Sequence, residues 1–131
     1  DKGVENGVAK YAVDKTLKVT KAHVESVKKA YAKGIQIALG TDAGTPFNYH
    51  SNTAYEMELM AQLNISNMDI IKIATINSAK CLGVEKDYGS IEVGKQADLV
   101  CLNENPLDDI SNVRKINRVI QSGRIVVDNT R

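Results

Sequence analysis

The sequence predicts an α/β fold, and three observations carry that reading. From about Thr16 to Lys33 apolar residues recur at helical spacing, and Gly34 then gives way to Ile35-Gln36-Ile37-Ala38-Leu39, a short apolar run with strand parity. Two further helical patterns fill residues 52–82. Beyond Glu85 the helical period disappears and short strand-like runs take over.

Residues 1–14 are polar, with glycines at 3 and 7, and read as a loop entering the fold. In the helix of residues 16–33, Val24, Val27 and Tyr31 fall at i, i+3 and i+7. Lysines 21, 28, 29 and 33 occupy much of the rest, and Gly34 is a natural helix stop. The run 35–39 follows at once. Successive side chains of a strand face opposite ways, so Ile35, Ile37 and Leu39 share one face. Gln36, Ala38, Gly40 and, with the geometry continued, Asp42 share the other, a nearly bare face that ends in an acid. A carboxylate at the carboxyl end of a strand sits where α/β proteins place their chemistry. An aspartate after a strand is also a common turn former or helix cap, and spacing alone leaves both readings open.

Residues 43–52 form a loop containing Pro46, and a second helix is predicted over about 52–63, with Ala54, Met57, Leu59, Met60 and Leu63 apolar. Ser66-Asn67-Met68-Asp69 has the shape of a capping box and opens a third helix over roughly 67–82. That helix is apolar on more than one side, so it is expected to be well buried, and Gly83 ends it. Ala97 to Leu102 reads as a strand. Arg118–Gln121 and Arg124–Val127 read as a hairpin around a two-residue Ser122-Gly123 turn. A domain boundary is placed at about 84–88. Neither half holds enough strands for a self-sufficient sheet, so both read as pieces of a larger fold.

Composition narrows the function. Seventeen basic and sixteen acidic side chains in 131 residues give a net charge of +1, which leaves no electrostatic footprint for nucleic acid. No apolar run approaches the ~20 residues that span a bilayer. Cys81 and Cys101 lie in segments that read as buried and make no disulfide or zinc pattern, so a reducing, cytoplasmic setting is expected. The chain begins with Asp, and no signal peptide is visible.

Four stretches, taken in order, resemble the amidohydrolase superfamily, most nearly its imidazolonepropionase-like and Xaa-Pro dipeptidase-like branch. They are Gly40-Thr41-Asp42-Ala43-Gly44, the segment from Asp69 to Lys80, the segment from Gly89 to Val100, and Val119-Ile120-Gln121-Ser122-Gly123-Arg124. The resemblance covers roughly residues 20–128. It implies the C-terminal part of a (β/α)8 metal-dependent hydrolase barrel over residues 1–85, followed over residues 86–131 by strands of a small β-sandwich domain. It further implies hydrolysis of an amide or cyclic amide C–N bond, with a dipeptide or an imidazolone as first substrate guesses and a divalent metal, zinc, as cofactor.

On the family pattern Asp42 maps to the aspartate of the last barrel strand. There it ligates or borders the metal, takes a proton from water and hands it to the leaving amine. His50 falls where the family often carries a His-Gly at the mouth of the site, but here the pair is His50-Ser51. It is weighed equally as a substrate contact and as an exposed loop histidine. His23, in an outer helix, reads as a surface or packing residue. The departure is large: with two histidines and no His-x-His, the chain lacks most of the family's metal ligands. A barrel of this kind needs about 250 residues. The missing N-terminal part of the barrel is therefore the expected partner, with a homo-oligomer also open. The rival readings are a non-catalytic module that works only with a partner chain, and a small α/β binding domain.

Overall fold

The computed structural model describes residues 2–5, 7–44 and 48–130. The element order is α1 (Lys2–Glu5), α2 (Lys10–Ala32), α3 (Thr53–Gln62), α4 (Asn67–Lys72), a π-turn (Ile73–Asn77), α5 (Ser78–Leu82), β1 (Leu99–Leu102), a 3-10 turn (Ile110–Arg114), β2 (Ile116–Gln121) and β3 (Arg124–Asp128). The opening segment is a correction: residues expected as a loop carry α1 and the first turn of α2. The early part of α2 is mostly exposed and lacks a side-chain cap, so neither capping chemistry nor a buried stripe marks its start.

The helices of residues 53–82 meet their predicted limits closely. Ser66 caps α4 as expected: its Oγ accepts from the Asp69 backbone N–H at 3.2 Å and donates to Asp69 Oδ2 at 2.7 Å. Asp69 Oδ2 also accepts from the Tyr31 hydroxyl at 2.7 Å, which ties the end of α2 to the start of α4. The long third helix is not buried along its whole length. Ile70, Ile73 and Ala79 are buried, but Leu82 is 76% exposed and Cys81 is exposed.

The core gathers Met57 and Met60 of α3, Ile65, Ile70 of α4, Ile73 of the π-turn and Ile110 of the 3-10 turn. Val27 and Tyr31 of α2, Ile37, Leu39 and Val113 pack against it. Residues from both sides of position 85 thus share one core. Arg114 reinforces this contact: its guanidinium grips Glu58 of α3 at 2.5 and 3.1 Å and reaches Asn52 Oδ1 at 3.2 Å. Asn67 Nδ2 adds a bond to the Leu107 carbonyl at 2.9 Å.

The three strands form one antiparallel sheet in the order β1-β2-β3. The hairpin closes on Ser122 and Gly123, both at positive φ (50° and 76°), the two left-handed positions that a two-residue turn of this hand demands. Asp98 Oδ1 accepts from the Ser122 N–H at 2.7 Å, so this aspartate fastens the turn rather than doing chemistry. Every residue of β3 is exposed. Cys101 is also exposed, against expectation, although Leu99 on the same face of the sheet is half-buried.

The main correction concerns residues 35–39. They are not helical, but no ladder partner pairs with them among the described residues, so they do not form a β-strand here. Their parity holds in part. Ile37 and Leu39 pack on the core, whereas Ile35 is 57% exposed at a groove of about 200 Å³ shared with Tyr31, Asp69 and Lys72.

Donation from Tyr31, then from Ser66, and then the neighbouring Lys72 hold the Asp69 carboxyl below the usual carboxylate range. A carboxyl whose folded pKa lies below its unfolded value of about 3.9 stabilises fully above that pH, and the gain fades as pH falls through the folded value. Tyr31→Phe removes the leading donor. It should lower the urea midpoint at neutral pH, and the deficit should shrink as the pH is taken below about 4. A deficit that is the same at both pH values would refute this coupling.

Candidate active site

The loop after residues 35–39 builds the site. Asp42 is exposed and holds φ at 47°, a left-handed conformation uncommon for a residue with a side chain, although aspartate adopts it more readily than most. Such positions persist where surrounding contacts fix them, and they cluster at functional sites. Here the contacts are visible. Asn48 Nδ2 donates to the Thr41 carbonyl, immediately before Asp42. The Gly44 N–H donates to the Asn48 carbonyl at 2.9 Å, so the loop closes on itself around Asp42.

The loop is also held from below. The Leu39 N–H donates to Ser78 Oγ at 3.1 Å, and Asn77 Nδ2 donates to the Ile37 carbonyl at 3.2 Å. The segment leading to Asp42 is therefore pinned to the junction of the π-turn and α5. Neither Asn48, Asn77 nor Ser78 was found from sequence. The available signal was the polar set Thr75, Asn77 and Ser78 in a helix that is apolar on more than one side.

His50 comes back onto this loop. A Cβ built at Gly44, whose φ is +100°, would lie 3.2 Å from His50 Nε2, so the imidazole packs over the glycine two residues beyond Asp42. The structure thus brings His50 to the Asp42 loop, while His23 lies exposed on α2, far along the chain from both. Thr45, Pro46 and Phe47, part of the predicted loop, lie outside the described residues. Among the described residues, no group of three or more His, Cys, Asp or Glu side chains is placed to hold a metal ion. The chain's own donors at Asp42 therefore do not make a metal set by themselves.

Residues 2–126 match the amidohydrolase family. The chain belongs to that family. It is 33% identical over 124 residues to a 5-methylthioadenosine/S-adenosylhomocysteine deaminase of Thermoanaerobacter pseudethanolicus, a match covering 79% of the chain and 28% of that enzyme. It is 43% identical over 72 residues to an imidazolonepropionase of Picrophilus torridus, covering 54% of the chain and 18% of that enzyme. Among solved structures it resembles a Xaa-Pro dipeptidase with methionine bound in the active site. That likeness has a TM-score of 0.73 and 39% identity, and covers 78% of this chain and 25% of the dipeptidase. The amidohydrolase resemblance read from the four motifs is thereby borne out, and the deaminase relatives are an addition to it. The chain spans less than a third of the length of these relatives.

Gly44→Ala introduces a Cβ against His50 and strains a left-handed position. It should cost roughly 1–2 kcal/mol of stability and move the His50 ring resonances in an NMR spectrum. An unperturbed His50 signal would show that the ring does not sit over Gly44.

Proposed function

We propose that this chain is the C-terminal part of an amidohydrolase that hydrolyses a C–N bond, and that Asp42 is its catalytic carboxylate. The single observation that carries the reading is the Gly40–Gly44 loop, which holds Asp42 exposed and left-handed directly after residues 35–39. Membership of the family supports the reaction class. In this proposal residues 1–85 belong to a (β/α)8 barrel and residues 86–131 to a small β-sandwich. Residues 35–39 are the last barrel strand, and their strand neighbours come from the part of the enzyme N-terminal to this chain.

Asp42 works as a proton carrier. Its carboxylate accepts a proton from the attacking water and returns it to the leaving nitrogen, which cannot depart as an anion at neutral pH. The loop closed by Asn48 leaves this carboxylate exposed, where water and substrate can reach it. His50, packed on the same loop, is placed to touch substrate at the mouth of the site. A divalent metal, which we take to be zinc, would be held by Asp42 together with donors from outside this chain. When bound it acidifies water and polarises the carbonyl.

Amide and cyclic amide substrates remain our first choice, in line with the names of the dipeptidase and imidazolonepropionase relatives. The deaminase relative supports a second reading, removal of an amino group from a purine nucleoside. The free, exposed thiols of Cys81 and Cys101 favour a cytoplasmic setting. The test is made on the complete enzyme containing this chain, with a panel of dipeptides, a cyclic amide and an aminopurine nucleoside. Asp42→Asn should keep the fold and lower turnover of the preferred substrate by at least about a hundredfold. Near-normal turnover in Asp42→Asn would remove Asp42 from the mechanism.

A further inference from the structure

Asn52 stands at the N-cap of α3, yet its side chain makes no hydrogen bond to that helix. A capping asparagine ordinarily directs its oxygen at the N–H groups of the first turn. Here Asn52 Oδ1 accepts instead from Arg114 Nη2 at 3.2 Å, at the end of the 3-10 turn beyond position 85. The backbone of Asn52 closes a tight turn. Its N–H donates to the Tyr49 carbonyl at 3.1 Å, with His50 and Ser51 between them. The imidazole that packs over Gly44 is thus carried on a turn whose last residue Arg114 holds.

The proton count allows one guanidinium to hold both partners. Arg114 Nε–H goes to Glu58 Oε1 at 2.5 Å, and one Nη2–H goes to Glu58 Oε2 at 3.1 Å. That fork fixes the plane of the guanidinium and leaves the second Nη2–H for Asn52. Arg114 is itself well placed. It ends the 3-10 turn Ile110–Arg114, in which Ile110 and Asn112 are buried, and Asn112 Nδ2 donates to the Asn105 carbonyl at 2.9 Å. An exposed ion pair adds little to stability, so what this one supplies is direction. None of these groups belongs to residues 35–39, and pairing of that segment with neighbouring strands leaves the contact as it is.

We infer that Arg114 is a positioning residue for His50: clamped by Glu58, it holds Asn52 and with it the Tyr49–Asn52 turn that sets the imidazole over the Asp42 loop. It acts through Asn52 and His50 and not on the reacting atoms. The inference rests on the proposed substrate contact of His50, and the experiment keeps the two separable.

The complete enzyme is measured for steady-state kinetics on its preferred substrate and for amide hydrogen exchange at residue 52. Asn52→Ala removes the acceptor without taking a side-chain cap from α3. It should lower the protection of the residue 52 amide by about fivefold or more while Ile70 and Ile73 stay protected. It should raise KM by about three- to tenfold, as expected for one hydrogen bond. The change in kcat should stay below about twofold, because a contact at the mouth of the site binds substrate and transition state alike. Asn52→Asp keeps an acceptor for Arg114 and should leave both readouts near wild type. Arg114→Lys offers a single ammonium in place of the planar fork and should reproduce Asn52→Ala. His50→Ala should raise KM at least as much, and adding Asn52→Ala to it should raise KM no further, whereas a merely structural role would add. Unchanged protection in Asn52→Ala overturns the clamp. An additive double variant, or an unchanged KM in Asn52→Ala while His50→Ala raises it, overturns the positioning role. An unchanged KM in His50→Ala, with residue 52 still deprotected in Asn52→Ala, overturns the substrate contact of His50 and not the clamp.

Discussion

The burial of Ile70 and Ile73 on one face of the helical run 67–82 is the constraint from which the remaining arrangement follows. Ile70 is fully buried and Ile73 nearly so. Around them converge Met57 and Met60 from α3, Ile110 from the 3-10 turn, and Ile37 and Leu39 from the segment that leads to Asp42. Removing apolar surface of this kind from water gives about 25 cal/mol per Å², with no preferred direction. Direction comes from the polar groups at the rim. Ser66 and Tyr31 fix the start of the run through Asp69, and Asn77 and Ser78 fix its far side against the 37–39 backbone.

The same division explains what could be read in the chain before its fold was known. Helices over 53–62 and 67–82 were legible because their signals are local: an apolar period, a capping serine and a terminal glycine. The hairpin was legible for the same reason, since Ser122-Gly123 specifies its own turn. The assignment of 35–39 as a strand failed on a non-local question. Parity placed Ile37 and Leu39 correctly on the core, yet a strand exists only when another strand pairs with it, and no such strand lies among the described residues. The exposure of Cys81 and Cys101 has a related origin, because burial depends on a covering layer that a cysteine's immediate neighbours do not reveal.

The candidate site divides in a similar way. Asp42 stood out because two glycines and an acid follow an apolar run, a local pattern with a chemical meaning. The groups that hold it were hidden. Asn48 lies six residues on and acts through a carbonyl, while Asn77 and Ser78 lie some forty residues from the backbone they bind. Polar residues in a helix apolar on more than one side were the available hint. A helix of ordinary winding would have turned one of the two away, and nothing in the composition of Ile73–Asn77 announces a π-turn.

These contacts also bear on how firmly Asp42 is held. A left-handed φ at a residue with a side chain is unfavourable when the chain is free, so the conformation must be imposed by the contacts on either side. On the near side, the Leu39 N–H is anchored to a helix that shares the core. On the far side, Asn48 closes the loop on the Thr41 carbonyl, and the Gly44 N–H returns to Asn48. The carboxylate itself is left exposed between two fixed points.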